Sequence, residues 1–374
     1  MIEKIKIENL TVFENLEIDT SAPINVFIGE NGTGKTQILK FIHMMLSNSD
    51  KENSTPEELE YLADFDELLE NVGFSSEIKI GLSSNDEGSR KLLDKLKELG
   101  SSYEDIAKNF ETLQRKRENL TKNLEFMSIN HLNKSQITRN QHLDIILELI
   151  LDDDNKTKNF IFIPAKDMLT HSKGLPAMKK EYGANMPFDD IYVNIIEKAS
   201  KWNKKDVPEI AKKVVPILED IMDGVVEIIN EVFYIKKRNG KMIPFDFEAE
   251  GIKKIGLLWQ LFMGGTITEG TILLWDEPES NLNPKLSSTI AWILLELSRS
   301  GVQIFLTTHN YFLAKYFDIL EKDKKEVVFH SLYRADDNPD SPTLCETNDT
   351  FSMLNRNSIL EEIVELFETE MEWE

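Results

Sequence analysis

Apolar residues recur along the first fifty positions in spacings that predict strands and then a helix. Isoleucines within residues 2–7 predict an opening strand, and Leu16–Ile18 predicts a second one. The run Ile24–Ile28 is apolar at four of its five positions and is followed by a glycine, so we expect a buried strand there. A helix should then begin near Gly34 and end at about Leu46.

The second half of the chain alternates strand and helix patterns. Asn159–Pro164 predicts a buried strand, and a helix is predicted from Gly251 to Phe262. Thr271–Trp275 predicts a strand, Pro284–Arg299 a helix and Val302–Thr307 another strand. Alternation of this kind indicates an α/β fold built on a mostly parallel sheet.

One hairpin breaks the alternation and predicts an antiparallel edge. Val232–Ile235 and Met242–Phe245 flank the dipeptide Asn239–Gly240. Asn-Gly favours the positive φ angles of a type I′ turn, which joins adjacent antiparallel strands.

The segment between these two regions has a different pattern. A strand is predicted at Ile78–Ile80, and long helical stretches follow it. A heptad stripe comprises Tyr103, Ile106, Phe110, Leu113, Leu120, Leu124 and Met127, with Leu92, Leu96 and Leu99 before it. We therefore predict a discontinuous core domain over 1–46 and 157–345, an inserted, mainly helical subdomain over 47–156 and an acidic C-terminal helix or tail over 346–374. The insertion is short, which favours a packed lid over a long coiled-coil arm.

The composition and net charge limit which partners the protein can bind and where in the cell it is expected. The net charge of −23 argues against broad attraction to nucleic acid or an anionic membrane. Residues 166–254 are close to neutral, with 16 Lys/Arg against 15 Asp/Glu, so a local nucleic-acid face stays open there. No apolar run is long enough to span a membrane, the first residues do not resemble a signal peptide, and Cys345 is the single cysteine. These features predict a cytoplasmic protein.

The strongest chemical signal lies directly after the predicted strand Ile24–Ile28. It fits the pattern G-x-x-x-x-G-K-[ST] at every fixed position and comprises Gly29, Glu30, Asn31, Gly32, Thr33, Gly34, Lys35 and Thr36. Backbone N–H groups of such a loop converge on phosphates, aided by the N-terminus of the following helix. Lys35 is then expected to reach the β- and γ-phosphates of ATP, and the Thr36 hydroxyl to bind Mg²⁺.

A pair of acidic residues supplies the second signal. The predicted strand Thr271–Trp275 is followed directly by Asp276 and Glu277. We expect Asp276 to join Thr36 as a Mg²⁺ ligand and Glu277 to polarise the attacking water. The added glutamate points to hydrolysis rather than to binding alone.

Two further elements make the pattern resemble a known class. Ser280–Pro284 resembles the D-loop of ABC-type ATPases, and Phe305–Asn310 resembles their switch-histidine strand. The chain is similar to stand-alone bacterial ABC-type ATPases of the RecF and SMC group, including those of overcoming-lysogenisation-defect and other anti-phage systems. The resemblance covers roughly 1–46 and 231–320. It implies that His309 contacts the γ-phosphate and that two copies pair head to tail around ATP.

The expected signature loop departs from that class. In the candidate loop Glu248–Lys254, Gly251 matches, but Ala249 stands where serine is usual. A methyl group donates no hydrogen bond, and we expect the Gly251 N–H, Lys253 and the dipole of the following helix to compensate. The resemblance implies that Gly251, Lys253 and the D-loop residue Asn281 act across the dimer. No glutamine follows the strand Asn159–Pro164; Lys166 or Asp167 as a nucleotide sensor and a plain turn remain equal alternatives.

The resemblance implies an ATP-driven, Mg²⁺-dependent switch that hydrolyses ATP as a homodimer or higher assembly. Its expected partner is a separately encoded effector such as a nuclease or toxin, in anti-phage defence. The alternatives are a DNA-repair or chromosome-maintenance ATPase that binds DNA directly and a non-hydrolysing, nucleotide-gated scaffold. A membrane-transporter subunit is disfavoured by the altered signature, the insertion and the missing glutamine.

Overall fold

A computed structural model shows how the chain folds. It describes residues 1–49, 80–82, 146–151, 159–182, 190–205, 207–322, 325–336, 338 and 341–373. Contacts divide the chain into two compact units. One comprises Met1–Ser21, Met44–Thr157 and Arg334–Leu344, and the other comprises Ala22–His43, Lys158–Tyr333 and Cys345–Glu374.

The strands and helices predicted within the described residues are present in the predicted order, and four strands at 146–151, 224–229, 327–334 and 343–348 were not predicted. The strands are β1 (Ile2–Leu10), β2 (Phe13–Asp19), β3 (Ile24–Gly29), β4 (Ile80–Leu82), β5 (Ile146–Leu151), β6 (Phe160–Ile163), β7 (Gly224–Ile229), β8 (Val232–Lys237), β9 (Met242–Pro244), β10 (Ile272–Asp276), β11 (Gln303–Thr307), β12 (Val327–Arg334) and β13 (Thr343–Asn348). The helices are α1 (Lys35–Ser49), α2 (Leu175–Tyr182), α3 (Asp190–Ala199), α4 (Glu209–Met222), α5 (Glu250–Met263), α6 (Ser287–Arg299), α7 (Tyr311–Leu320) and α8 (Ser358–Trp373).

The first unit is built on a four-stranded sheet in the order β2-β1-β5-β4. β1 runs antiparallel to both β2 and β5, and Ile5 lies opposite Ile18 on one side and Leu149 on the other. These three side chains are buried, and Ile5 and Ile18 alternate along their strands with charged residues. One apolar face therefore aligns these strands in register.

The second unit is built on a six-stranded sheet in the order β13-β12-β3-β11-β10-β6. The pairings from β12 through β6 are all parallel. Every residue of β3, β6, β10 and β11 is buried, as expected for parallel strands covered on both faces. Because parallel strands end at a common edge, the segments that follow β3, β10 and β11 meet there.

The predicted hairpin forms, but its turn is not type I′. In the loop from β8 to β9, Gly240 has a φ of 83°, whereas Asn239 is not among the residues with positive φ. The Gly240 N–H donates to the Lys237 carbonyl (2.9 Å) and the Lys237 N–H to the Lys241 carbonyl (2.9 Å). The extra loop residue makes this a type I turn with a glycine bulge, so only one residue needs positive φ.

The predicted α/β fold with a mostly parallel sheet and an antiparallel hairpin is confirmed. The compact units differ from the predicted domain boundaries because β1 and β2 pair with β5 instead of joining the parallel sheet. The heptad stripe and most of segment 47–156 lie outside the described residues, so the helical insertion stays a prediction. Within the part of the chain that the structure describes, no helix has the length and apolarity to cross a membrane.

Candidate functional site

The loop between β3 and α1 has the backbone shape that its glycines permit. Gly29, Gly32 and Gly34 have φ angles of 138°, 80° and 96°, which L side chains rarely adopt. A Cβ at Gly29 would lie 2.1 Å from the Leu332 carbonyl oxygen in β12. The loop is therefore pressed against the sheet where only glycine fits.

Lys35 lies inside this loop rather than on its surface. Its side chain is buried, and Nζ donates to the carbonyl oxygens of Gly29 (2.9 Å) and Glu30 (2.7 Å). Burial lowers the pKa of Lys35 to about 8, against the opposing attraction of Glu277 and Asp276. The loop thus holds an ammonium group at its centre, close to two carboxylates.

The structure brings Thr36 and Asp276 together, although 240 residues separate them in sequence. The Thr36 hydroxyl donates to Asp276 Oδ1 (3.0 Å), and the Thr307 hydroxyl at the end of β11 donates to the same oxygen (2.6 Å). Asp276 is 8% exposed. Its carboxylate is therefore held in one orientation beside the first turn of α1.

Glu277 follows Asp276 in a left-handed conformation. Its φ is 47°, and its N–H donates to the Thr307 hydroxyl (3.0 Å). The Glu277 and His309 side chains are each about a third exposed, and Glu277 Oε1 lies 3.9 Å from His309 Nε2. Burial and the nearby charge of Lys35 lower the pKa of His309, which favours its neutral form. The carboxylate and imidazole therefore face each other at the edge of the sheet.

Glu279 is a component that the sequence analysis missed. It is largely buried, and Oε1 accepts from the Thr308 hydroxyl (2.7 Å) and the His309 N–H (3.2 Å). Burial raises the pKa of Glu279. This carboxyl ties the segment after β10 to the segment after β11 and so positions His309. Its sequence signal is weak, because a carboxylate beside a proline in a loop is ordinarily solvated.

Lys254 is a second missed residue, adjacent to the predicted Lys253. It is 5% exposed, and Nζ donates to the Glu277 carbonyl (2.8 Å) and to the Ser280 hydroxyl. Burial lowers the pKa of Lys254, while Glu279 and Glu277 oppose the shift. Lys254 therefore connects α5 to the backbone of Glu277 and to the D-loop.

Gly251 and Asn281 lie against each other within one chain. A Cβ at Gly251 would lie 2.5 Å from the Asn281 carbonyl oxygen, and Asn281 itself has a φ of 64°. Glycine is therefore required here for close packing between the start of α5 and the D-loop, whatever its role toward a ligand.

A polar cavity of about 310 Å³ opens beside this contact. It is lined by Ala165, Lys166, Asp167, Thr170, His171, Glu250, Lys253 and Asn281. Lys253 is buried and pairs with Glu250 (2.7 Å). Asp167 accepts from the backbone N–H of Leu169 (3.1 Å), so it caps its own turn. The cavity includes the predicted residues Lys253 and Asn281 but none of the residues 29–36.

A protein-family profile described as "AAA domain, putative AbiEii toxin, Type IV TA system" matches residues 24–315, which include every site residue described above. The chain belongs to this family. The resemblance to ABC-type ATPases of the RecF and SMC group is also confirmed.

Short segments match two repair proteins. The match to the DNA double-strand break repair Rad50 ATPase of Methanopyrus kandleri is 48% identical over 46 residues, which is 12% of this chain and 5% of that protein. The match to the DNA replication and repair protein RecF of Listeria welshimeri is 43% identical over 44 residues, which is 12% of each. The matches therefore span only a small part of those proteins.

Solved structures that align with the chain include two SMC heads. The Smc head domain of Pyrococcus furiosus, bound to the C-terminal domain of ScpA, aligns with a TM-score of 0.41 and 13% identity over 98% of both chains. The SMC head domain of Thermotoga maritima aligns with a TM-score of 0.38 and 13% identity, over 92% of this chain and 98% of that one.

Proposed function

We propose that this protein is a Mg²⁺-dependent ATPase that works as a switch: ATP closes a head-to-tail dimer and hydrolysis opens it. One observation carries the proposal. Residues of the phosphate loop, of the end of β10 and of the end of β11 converge at one edge of the parallel sheet. They provide a buried ammonium group, a hydroxyl–carboxylate pair in contact at 3.0 Å and a carboxylate–imidazole pair 3.9 Å apart.

The Thr36–Asp276 pair fits a Mg²⁺ ion in its donor chemistry. Mg²⁺ in ATPases takes hard oxygen ligands, usually one or two from the protein together with substrate phosphates and water. The Thr36 hydroxyl and the Asp276 carboxylate are such ligands, and they already touch at 3.0 Å. When bound, the ion would neutralise developing charge on the phosphate oxygens.

Glu277 is proposed to orient the attacking water and accept its proton. Its carboxylate is partly exposed, whereas that of Asp276 is buried, so the two adjacent residues have different access to water. A neutral His309 can donate one ring N–H to a γ-phosphate oxygen or to the water. The Thr307 hydroxyl orients both acidic residues, through the Asp276 side chain and the Glu277 backbone.

The dimer is proposed because Gly251, Lys253 and Asn281 belong to a surface that is separate from the phosphate loop. The cavity beside them contains no residue of the phosphate loop, so we propose that it receives the phosphates of ATP held by a second copy. Phe247, the residue before the candidate signature loop Glu248–Lys254, is 82% exposed in the single chain. Such exposure of an aromatic ring is expected where a partner covers it. Lys253, once separated from Glu250, would supply the contact that Ala249 cannot make.

The solution mass of Glu277→Gln tests this proposal, since a hydrolysis-deficient variant would accumulate the ATP-bound form. We expect light scattering to show a doubling of mass on addition of ATP and Mg²⁺. The doubling should vanish in the double variant Glu277→Gln/Lys35→Ala, which lacks the phosphate-loop lysine. A mass that does not respond to ATP in either variant would contradict the sandwich and favour the nucleotide-gated scaffold.

The switch is proposed to act on a separately encoded protein, such as a nuclease or toxin, in cytoplasmic anti-phage defence. The family description includes a toxin and a toxin–antitoxin system, which supports a setting with a second component.

A specific observation favours direct nucleic-acid contact as a second candidate function. Trp202 is 94% exposed, in the loop between α3 and α4, and the exposed residues Lys201, Lys204 and Lys205 surround it in sequence. The loop is fixed: the Lys204 N–H donates to the Met263 carbonyl (2.8 Å). An exposed aromatic ring among lysines is suited to base stacking with charge neutralisation.

Replacing Trp202 tests this second candidate. If single-stranded DNA stacks on the ring, Trp202→Ala should weaken binding of a labelled oligo-dT by about 5- to 150-fold, the range for loss of one stacked base. Trp202→Phe should retain most of the affinity, and Lys205→Gln should chiefly reduce the salt dependence. Fluorescence anisotropy at two salt concentrations measures both effects. Equal affinity of Trp202→Ala and the parent protein would remove this loop from any nucleic-acid site.

A further inference from the structure

Within the part of the chain that the structure describes, helix α8 begins as a packed helix, and its apolar face is exposed further along. Asn357 caps it: Asn357 Oδ1 accepts from the Leu360 N–H (3.1 Å), and Asn357 Nδ2 donates to the Phe351 carbonyl (2.8 Å). Ile359, in the first turn, is buried, and Leu360 and Ile363 are half-buried. The start of the helix is therefore firmly attached to its unit.

The same apolar face continues past the point where burial ends. Leu360, Val364, Phe367 and Met371 follow the spacing i, i+4, i+7 and i+11, which places them in one stripe along the helix. The exposed fractions beyond the first turns are 47% at Val364, 60% at Leu366, 57% at Phe367 and 69% at Met371. Exposed apolar stripes of this length are rare on a helix that has no partner.

The charge beside the stripe restricts what can cover it. Residues 361–374 contain seven glutamates and no lysine or arginine. Glu361, Glu365 and Glu368 repeat the spacing of the stripe one residue further on, so carboxylates lie along its flank. Two such helices side by side would repel each other, because residues 361–374 of both would carry only negative side-chain charges. A surface with an apolar groove and a rim of Lys or Arg satisfies both features.

We propose that residues 364–371 of α8 form the docking surface for a separate protein that presents a basic amphipathic helix or groove. Apolar contacts with Val364, Phe367 and Met371 would provide the affinity, and the glutamates would pair with basic residues at the rim. This inference rests on the proposed function insofar as that function includes a controlled partner, and it specifies the chemistry of that partner.

A synthetic peptide can serve as the probe. A fluorescein-labelled helical peptide with leucine at heptad positions a and d and lysine at e and g presents the expected chemistry. The full-length protein, without nucleotide, should bind it more tightly than the matched leucine–glutamate peptide. The triple variant Val364→Ser/Phe367→Ser/Met371→Ser keeps every charge and should bind about tenfold more weakly or worse. Ile229→Ser/Ile319→Ser removes exposed apolar side chains elsewhere and should bind like the parent protein.

The remaining measurements separate this surface from general attraction to an acidic protein. Glu365→Gln/Glu368→Gln should weaken binding and make it less dependent on salt. Equal peptide affinity of the triple variant and the parent would overturn the proposal, as would a nucleotide-independent dimer that the triple variant loses. ATP turnover and the thermal midpoint of the triple variant should match those of the parent. A failed peptide experiment with normal turnover would therefore leave the ATPase proposal intact.

Discussion

Glu277→Gln is expected to lower kcat for ATP hydrolysis by a factor on the order of a hundred or more, the usual contribution of a positioned acid–base group. Glutamine keeps the size and the left-handed backbone conformation at this position but accepts no proton. Because the Glu277 N–H still donates to the Thr307 hydroxyl and Lys254 still donates to the Glu277 carbonyl, the backbone of the site is kept and ATP binding should change little. Steady-state turnover and equilibrium binding of ATP, measured on the same preparation, separate the two quantities.

Glu269→Gln is the matched control for this experiment, since Glu269 is an exposed glutamate in the loop before β10. It should hydrolyse ATP at the parent rate. Unchanged kcat in Glu277→Gln would remove Glu277 from its proposed role. A fall in ATP affinity equal to the fall in turnover would instead show that the residue serves binding.

Lys35→Ala should abolish detectable ATP binding, with a loss of affinity on the order of a hundredfold or more. The ammonium group is buried at the centre of the loop, where a charged hydrogen bond is worth about 1.5–3 kcal/mol. Two such bonds to phosphate oxygens account for the expected loss. Calorimetric titration with a non-hydrolysable ATP analogue and Mg²⁺ measures it directly.

Lys212→Ala provides the control for Lys35→Ala, because Lys212 lies on the surface and pairs with Glu209. Its affinity for the analogue should equal that of the parent. Both variants should keep the parent thermal midpoint within a few degrees, which would show that the loss of binding does not come from unfolding. Tight binding by Lys35→Ala would contradict the assignment of the phosphate loop.

The elements of the parallel sheet were predictable because their signals are local. A buried parallel strand is a short apolar run, and the phosphate loop needs glycines where the backbone takes positive φ. The pairing of Thr36 with Asp276 followed from the phosphate-loop motif and from the acidic pair that ends the strand Thr271–Trp275. The sequence could also indicate His309, since the residues around it resemble a known strand.

Lys254 and Glu279 were not predictable, because their roles depend on burial that no local pattern encodes. Lys253 and Lys254 are adjacent lysines at the start of one helix, and only the packing of α5 decides which one reaches Glu277. The predicted type of the turn after β8 was wrong for a related reason. Asn-Gly permits a type I′ turn, but the bulged alternative uses the same glycine, and the loop length decides between them.

Helix α5 connects the site around Glu277 to the loop that carries Trp202. Near its N-terminal end, Gly251 packs on Asn281 and Lys254 holds the Glu277 backbone; near its C-terminal end, Gln260 Nε2 donates to the Lys201 carbonyl (3.0 Å) beside Trp202. Its 14 residues span about 21 Å as one largely buried rod. A ligand that shifts α5 at one end would change the free energy of ligand binding at the other end. Such linkage is reciprocal: a molecule held by the Trp202 loop that tightens ATP binding by some factor must itself be bound more tightly, by the same factor, when ATP is present.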